Sequence, residues 1–144
     1  MSLRGKLVDR EMTKLKPLFP DLTRRDFFVL ENGNKCVQVS FITTGKYACG
    51  QFDILIEFPF NYPVGAPLCW IQRPTIPRNT PHVYGWDEEN HASICYLRPK
   101  KDWQLNYTSY EAALLIEGWL STYCRWVKTK IWDWPEAGML DHIF

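Results

Sequence analysis

The chain has 144 residues, 46% apolar and 23% charged, which predicts one soluble globular domain over 1–144 that can bury a core without disulfides or metal. With 17 basic and 16 acidic residues the net charge is +1, so neither a nucleic-acid surface nor a solvated acidic arm is indicated. No apolar leader opens the sequence and no run approaches a membrane span, and the odd count of 5 cysteines predicts free thiols in a reducing cytoplasm.

In chain order, the first element reads as a helix. Ser2 is its candidate N-cap, Leu3, Leu7, Met12 and Leu15 share a face, and Pro17 and Pro20 end it. Three strands of an antiparallel meander follow. The first covers 26–31 and runs into Asn32-Gly33, a strong hairpin signal. The second covers 35–43, where Val37, Val39 and Phe41 alternate with polar residues, and the third covers 51–58, where Phe52, Ile54, Ile56 and Phe58 alternate. The proline-rich stretch FPFNYPVGAP suits a rigid, extended connection to a short fourth strand over 68–72. From 73 to about 107 no periodicity is visible, and so long an irregular stretch in a compact domain points to function. A last helix begins at Thr108, whose capping box with Glu111 is followed by Ala112, Leu115, Ile116, Trp119, Tyr123 and Trp126 at helical spacing, and it runs to about Lys130. The aromatic tail after it, with Trp132, Trp134 and Phe144, is either a docking surface or a cover for the helical end.

Within the irregular stretch lies HASICYLRPKKDW, with Cys95 ahead of Arg98, Lys100 and Lys101. Nearby cations favour a thiolate, and a loop cysteine can face solvent, so Cys95 is a candidate nucleophile; a packed loop cysteine beside a cationic patch is the rival. His82 and His91 are candidate bases or hydrogen-bond donors. Zinc needs close ligand pairs such as C-x2-C, which the sequence lacks, so no metal or other cofactor is expected. Cys36, Cys49, Cys69 and Cys124 read as packing or incidental surface thiols.

Several motifs in order carry a resemblance. Tyr62-Pro63-Val64-Gly65-Ala66-Pro67 resembles the Y-P-x-x-x-P turn of ubiquitin-conjugating (E2) proteins. Pro81-His82-Val83 stands where that family has His-Pro-Asn, Ser93-Ile94-Cys95-Tyr96-Leu97 resembles its G-x-I-C-L core, and Trp103 falls at the family's tryptophan before the next helix. The resemblance covers roughly 3–130. It implies an α+β, UBC-like fold with an N-terminal helix, a four-stranded antiparallel meander, a long active-site loop and a C-terminal helix. The departures are the missing asparagine, the longer spacing from His82 to Cys95, and a region after the last helix too short for the family's final helices. His82 is the first substitute for the asparagine, with Asn90 and His91 as second candidates.

The abbreviated pattern is similar to bacterial E2-like proteins of CBASS anti-phage operons. That likeness implies an acyl-transfer enzyme. It would carry a protein C-terminus, that of a cGAS-like nucleotidyltransferase, as a thioester on Cys95 and pass it to an acceptor lysine. An E1-like activator would act upstream, and neither nucleic acid nor membrane would take part. Arg98, Lys100, Lys101 and Trp103 are candidate contacts for the incoming tail. Two other classes are weighed beside it: a non-catalytic E2-like module that docks a partner, and a cysteine hydrolase, for which no G-x-C-x-G elbow is present.

Overall fold

Helix α1 (Lys6–Leu15) turns its buried side inward through Val8, Glu11 and Leu15, while Leu7 and Met12 pack at its edge. Buried at the centre of this face is a carboxylate rather than a leucine, because Glu11 meets a cluster of donors that the sequence does not place beside it. The computed structural model describes residues 5–98 and 102–133, so the expected cap Ser2 and the face residue Leu3 lie outside the described residues. Gly5, at a positive φ of 134°, precedes the helix and supplies no side-chain cap.

A single 3-10 turn (Arg24–Asp26), closed by reciprocal bonds between Thr23 and Asp26, leads into the sheet. Its strands are β1 (Phe27–Val29), β2 (Lys35–Ile42), β3 (Gln51–Glu57), β4 (Leu68–Arg73), β5 (Val83–Trp86) and β6 (Ala92–Ile94). They form one antiparallel sheet in the order β1-β2-β3-β4-β6-β5. The four expected strands are there as a meander, and two more join it. The segment expected to be irregular holds the β5–β6 hairpin, whose strands of 4 and 3 residues are too short for alternation to be legible. The Asn32-Gly33 turn connects β1 to β2, with Gly33 at φ 88°; the Asn32 and Asn34 amides and the Trp70 indole all donate to the buried Glu57 carboxylate, at 2.9, 2.7 and 3.0 Å.

Helix α2 (Ser109–Thr129) starts as expected: the Thr108 hydroxyl accepts from the Tyr110 N–H, and Glu111 accepts from the Thr108 N–H at 2.9 Å. Lys130 closes it in the left-handed conformation. Ala112, Leu115, Ile116, Trp119 and Tyr123 are buried against the sheet face made by Val37, Val39, Phe52, Ile54, Ile56, Ile71, Ala92 and Ile94. Phe52 meets Tyr123 edge-on at 5.8 Å. No helix among the described residues is long and apolar enough to cross a membrane.

The cysteine expectation needs correction. Cys49, in the β2–β3 connection, is joined to Cys124 of α2 with Cα atoms 5.6 Å apart. Their 75-residue separation hides the pairing from the sequence; closing a loop of that length restricts the unfolded chain by about 4.5 kcal/mol in the chain-entropy picture. The cysteine count therefore no longer argues for a reducing compartment.

Glu11 ties three segments together. It accepts from the Tyr62 hydroxyl, from the Ser109 N–H at the start of α2 (3.1 Å) and from Arg10 Nε (2.7 Å). A carboxylate at a helix N-terminus gains from the helix dipole as well as from the exposed N–H. Glu11→Ala leaves the Tyr62 hydroxyl and the Ser109 N–H buried without an acceptor. Urea unfolding should show about 3 kcal/mol of lost stability, against about 1 kcal/mol for Tyr62→Phe.

Candidate active site

The proline-rich turn after β3 acts as the anchor for the cysteine segment. Tyr96, the residue after Cys95, is buried and donates its hydroxyl to the Pro67 carbonyl. Trp103 donates its indole N–H to the Pro63 carbonyl at 2.8 Å and packs edge-on against Tyr107 at 5.6 Å. Trp103 therefore braces the turn. Between these two ties Arg98 pairs with Asp102: Arg98 N–H and Nη2 donate to the Asp102 carboxylate at 2.6 and 2.8 Å, and Asp102 N–H donates to the Arg98 carbonyl at 3.0 Å. The Arg98 guanidinium is thus engaged by a buried carboxylate that the sequence reading did not single out. Lys100 and Lys101 lie outside the described residues.

Cys95 follows β6 directly and is half-buried with a free thiol. Cys36 and Cys69 are also free, but buried; burial pushes the Cys36 thiol up to about 12 and holds Cys69 well above the usual range. Cys95 is thus the one free thiol among the described residues that reaches the surface. Its S–H donates to the Leu97 carbonyl at 3.4 Å, and its backbone N–H donates to the His82 carbonyl at 2.9 Å.

His82 therefore does stand opposite Cys95, across the end of the β5–β6 ladder. It adopts a left-handed φ of 55°, uncommon outside glycine, and its carbonyl also accepts from the Trp119 indole at 3.3 Å. Its ring packs on Trp132, with centroids 5.4 Å apart, and Trp132 in turn meets Trp119 at 5.4 Å and Trp126 at 6.2 Å. The first tail tryptophan thus covers the end of α2 beside His82; Trp134 and Phe144 lie outside the described residues.

Asn90 and His91 are placed elsewhere. β6 separates them from Cys95, and four residues of extended chain span about 13 Å. They belong to the β5–β6 turn. Asn90 takes the left-handed conformation at φ 64° and accepts from Arg78, and His91 Nδ1 lies 3.0 Å from Asp87. Burial works against the charged Asp87 carboxylate, but the His91 and Glu89 N–H donors and the His91 ring outweigh it and hold that group below the usual range.

The residue the sequence reading missed is Tyr84. Val83 pairs with Ile94 and Gly85 with Ser93, so Tyr84 is the extra residue of a β-bulge. Hydrogen bonding toward the Cys95 side chain, then burial and the sulfur's charge, push its phenol up to about 12. Tyr84 also lines a groove of about 350 Å³, with Val64, Pro67, Ser93, Leu97 and Trp103. Ile94 and Tyr96, which flank Cys95, belong to the same wall. A glycine within a run of β-formers, Val83-Tyr84-Gly85-Trp86, was the available signal for a bulged strand.

Among the described residues no group of three His, Cys, Asp or Glu side chains is placed to hold a metal ion. A search of protein-family models returns no match, and neither does a search of curated proteins.

Thiol alkylation separates the cysteines. Native protein treated with iodoacetamide should be modified at Cys95, with Cys36 and Cys69 labelled only after denaturation; peptide mass mapping reads the sites.

Proposed function

We propose that the protein is an E2-like conjugating enzyme that holds an acyl group on Cys95 and passes it to an amine. The observation that carries this reading is the free, half-buried thiol of Cys95 at the end of β6, next to Tyr96, which is tied to the preceding turn. The order of elements supports it as well: a first helix, an antiparallel meander, a braced cysteine segment and a capped helix suit a UBC-like fold.

The chemistry has two acyl transfers. Cys95 sulfur, having given up its proton, attacks the carbonyl carbon of an activated protein C-terminus. A C–S bond forms and the donor's leaving group departs. An amine then attacks the same carbon, a C–N bond forms, the C–S bond breaks and Cys95 leaves as thiolate, while the amine's proton goes to solvent or a nearby base. Splitting the transfer in this way is what a covalent nucleophile offers. His82 is the nearest histidine to that base role, since its backbone pairs with Cys95. By resemblance, the carried chain is the C-terminus of a cGAS-like nucleotidyltransferase, the acceptor is a lysine, the setting is cytoplasmic CBASS anti-phage defence, and an E1-like activator supplies the activated carbonyl. The alternative of a docking module draws on the aromatic cluster around Trp132 and on the absence of an asparagine at the His82 position.

The test is intact mass under non-reducing conditions after co-expression with genomic neighbours. Wild type should carry a thiol-labile adduct, Cys95→Ser the same mass as a stable ester, and Cys95→Ala none. A partner that co-purifies with all three forms, with no adduct on any, would replace the enzyme by the docking module.

A further inference from the structure

Away from Cys95, the sheet has an edge that no strand closes. β1 pairs with β2 only through Lys35, Cys36 and Val37, so residues 38–42 of β2 have β3 on one side and no strand on the other. Antiparallel pairing alternates the direction of the main-chain groups. The Thr43 N–H donates to the Gly50 carbonyl and the Phe58 N–H to the Lys35 carbonyl, so the odd-numbered residues of β2 are those bonded to β3. The N–H and C=O of Ser40 and Ile42 therefore point out of the edge, and among the described residues no main-chain bond meets them. Ser40 is exposed and Ile42 is 73% exposed. Edges are usually blunted by a charge, a proline or a bulge, and Gln38-Val39-Ser40-Phe41-Ile42 carries none of these.

A trough follows this edge. Two adjoining hollows of about 380 and 640 Å³ share Leu18, Phe19, Ser40 and Ile42. One bank is β2; the other is the 17–22 segment, where Phe19 meets Phe41 edge-on at 5.2 Å. Asp21, Asp26 and Glu117 line the two hollows, and no lysine or arginine does. We propose that this edge binds an extended segment of a partner protein, alternating apolar residues with Lys or Arg, which adds to β2 as a further strand. Ser40 and Ile42 supply the main-chain pairing, Leu18 and Phe19 receive every second side chain, and the carboxylates attract the cations between them. A paired strand lies about 4.8 Å from its neighbour, which places the segment within the trough. A second copy pairing through the same edge would bring its own 17–22 bank against this one, so a single strand is the occupant that fits. In the sheet order β6 stands three strands from β2, so this surface acts apart from Cys95 and does not rest on the acyl-transfer reading.

The test is amide hydrogen exchange read by NMR on the full chain, with the acetylated, amidated peptide Lys-Val-Lys-Val-Lys-Val as probe. In the free protein the Ser40 and Ile42 amides should exchange about a hundredfold faster than those of Val39 and Phe41, which β3 protects. The lysine peptide should slow Ser40 and Ile42 about tenfold or more, and a version with Glu for Lys should not. Two further versions of the lysine peptide, N-methylated on alternate residues in the two possible phases, separate strand pairing from side-chain contact: one phase should abolish the protection and the other preserve it. Ser40→Pro should melt like wild type, because an outward N–H at an edge carries no ladder bond, and should lose the peptide. Should that variant not fold, the N-methylated pair decides on wild type alone. No protection across the soluble range of the lysine peptide, equal binding of both N-methylated phases, or equal binding of the Glu peptide would overturn the proposal. So would Ser40 and Ile42 amides already protected without peptide, whether at all protein concentrations, which would mark a segment of this chain on the edge, or increasingly with concentration, which would mark a second copy.

Discussion

A carboxylate buried where helix α1 meets the start of α2 holds the molecule's parts in register. Glu11 has no solvent exposure, and an ionised carboxylate there needs donors. The Tyr62 hydroxyl brings the turn after β3, the Ser109 N–H brings the first turn of α2, and Arg10 brings a cation. None of these partners is close to the others in sequence, so satisfying one charge fixes three segments that the hydrophobic effect alone would leave free to slide.

The consequence reaches Cys95 through carbonyls. Once Tyr62 is seated, Pro63 and Pro67 offer their C=O groups outward to Trp103 and Tyr96. Proline has no N–H to give, so these carbonyls are the turn's natural attachment points. Tyr96 holds the chain just after the thiol, Trp103 holds it before α2, and Arg98 pairs with Asp102 between them. On the other side the His82 carbonyl, shared by the Cys95 N–H and the Trp119 indole, fixes the strand end to the helix. The thiol is therefore held by the frame while its own side chain stays accessible, an arrangement suited to a nucleophile.

How much of this was legible follows from the range of each signal. The capping box at Thr108 and Glu111, the alternation through Val37–Phe41 and Phe52–Phe58, and the Asn32-Gly33 turn are local, and each element forms where its residues indicate. Cys95 was legible as a thiol in an irregular, cationic setting. Its surroundings were not. The β5–β6 hairpin is too short for periodicity, and a bulge shifts the register by one, which is how Tyr84 escaped notice and why His91, near Cys95 in number, ends up at the far end of the hairpin. Glu11 and the Cys49–Cys124 link depend on contacts across 98 and 75 residues, beyond any local pattern. Arg98 looked like a free cation because Asp102, four residues on, reads equally well as a solvated charge.

The proposal that Cys95 carries acyl groups to amines, and not to water, turns on what displaces the sulfur. On that proposal, orientation of an incoming amine at the braced cysteine segment is what would favour it over water. The direct measurement is a single-turnover chase: the isolated Cys95 adduct, freed of its donor, mixed with a lysine-bearing peptide and followed by mass. The account predicts an amide product forming faster than free acid, in proportion to peptide concentration. Release of free acid at a rate indifferent to the peptide would mark a hydrolase and contradict the account.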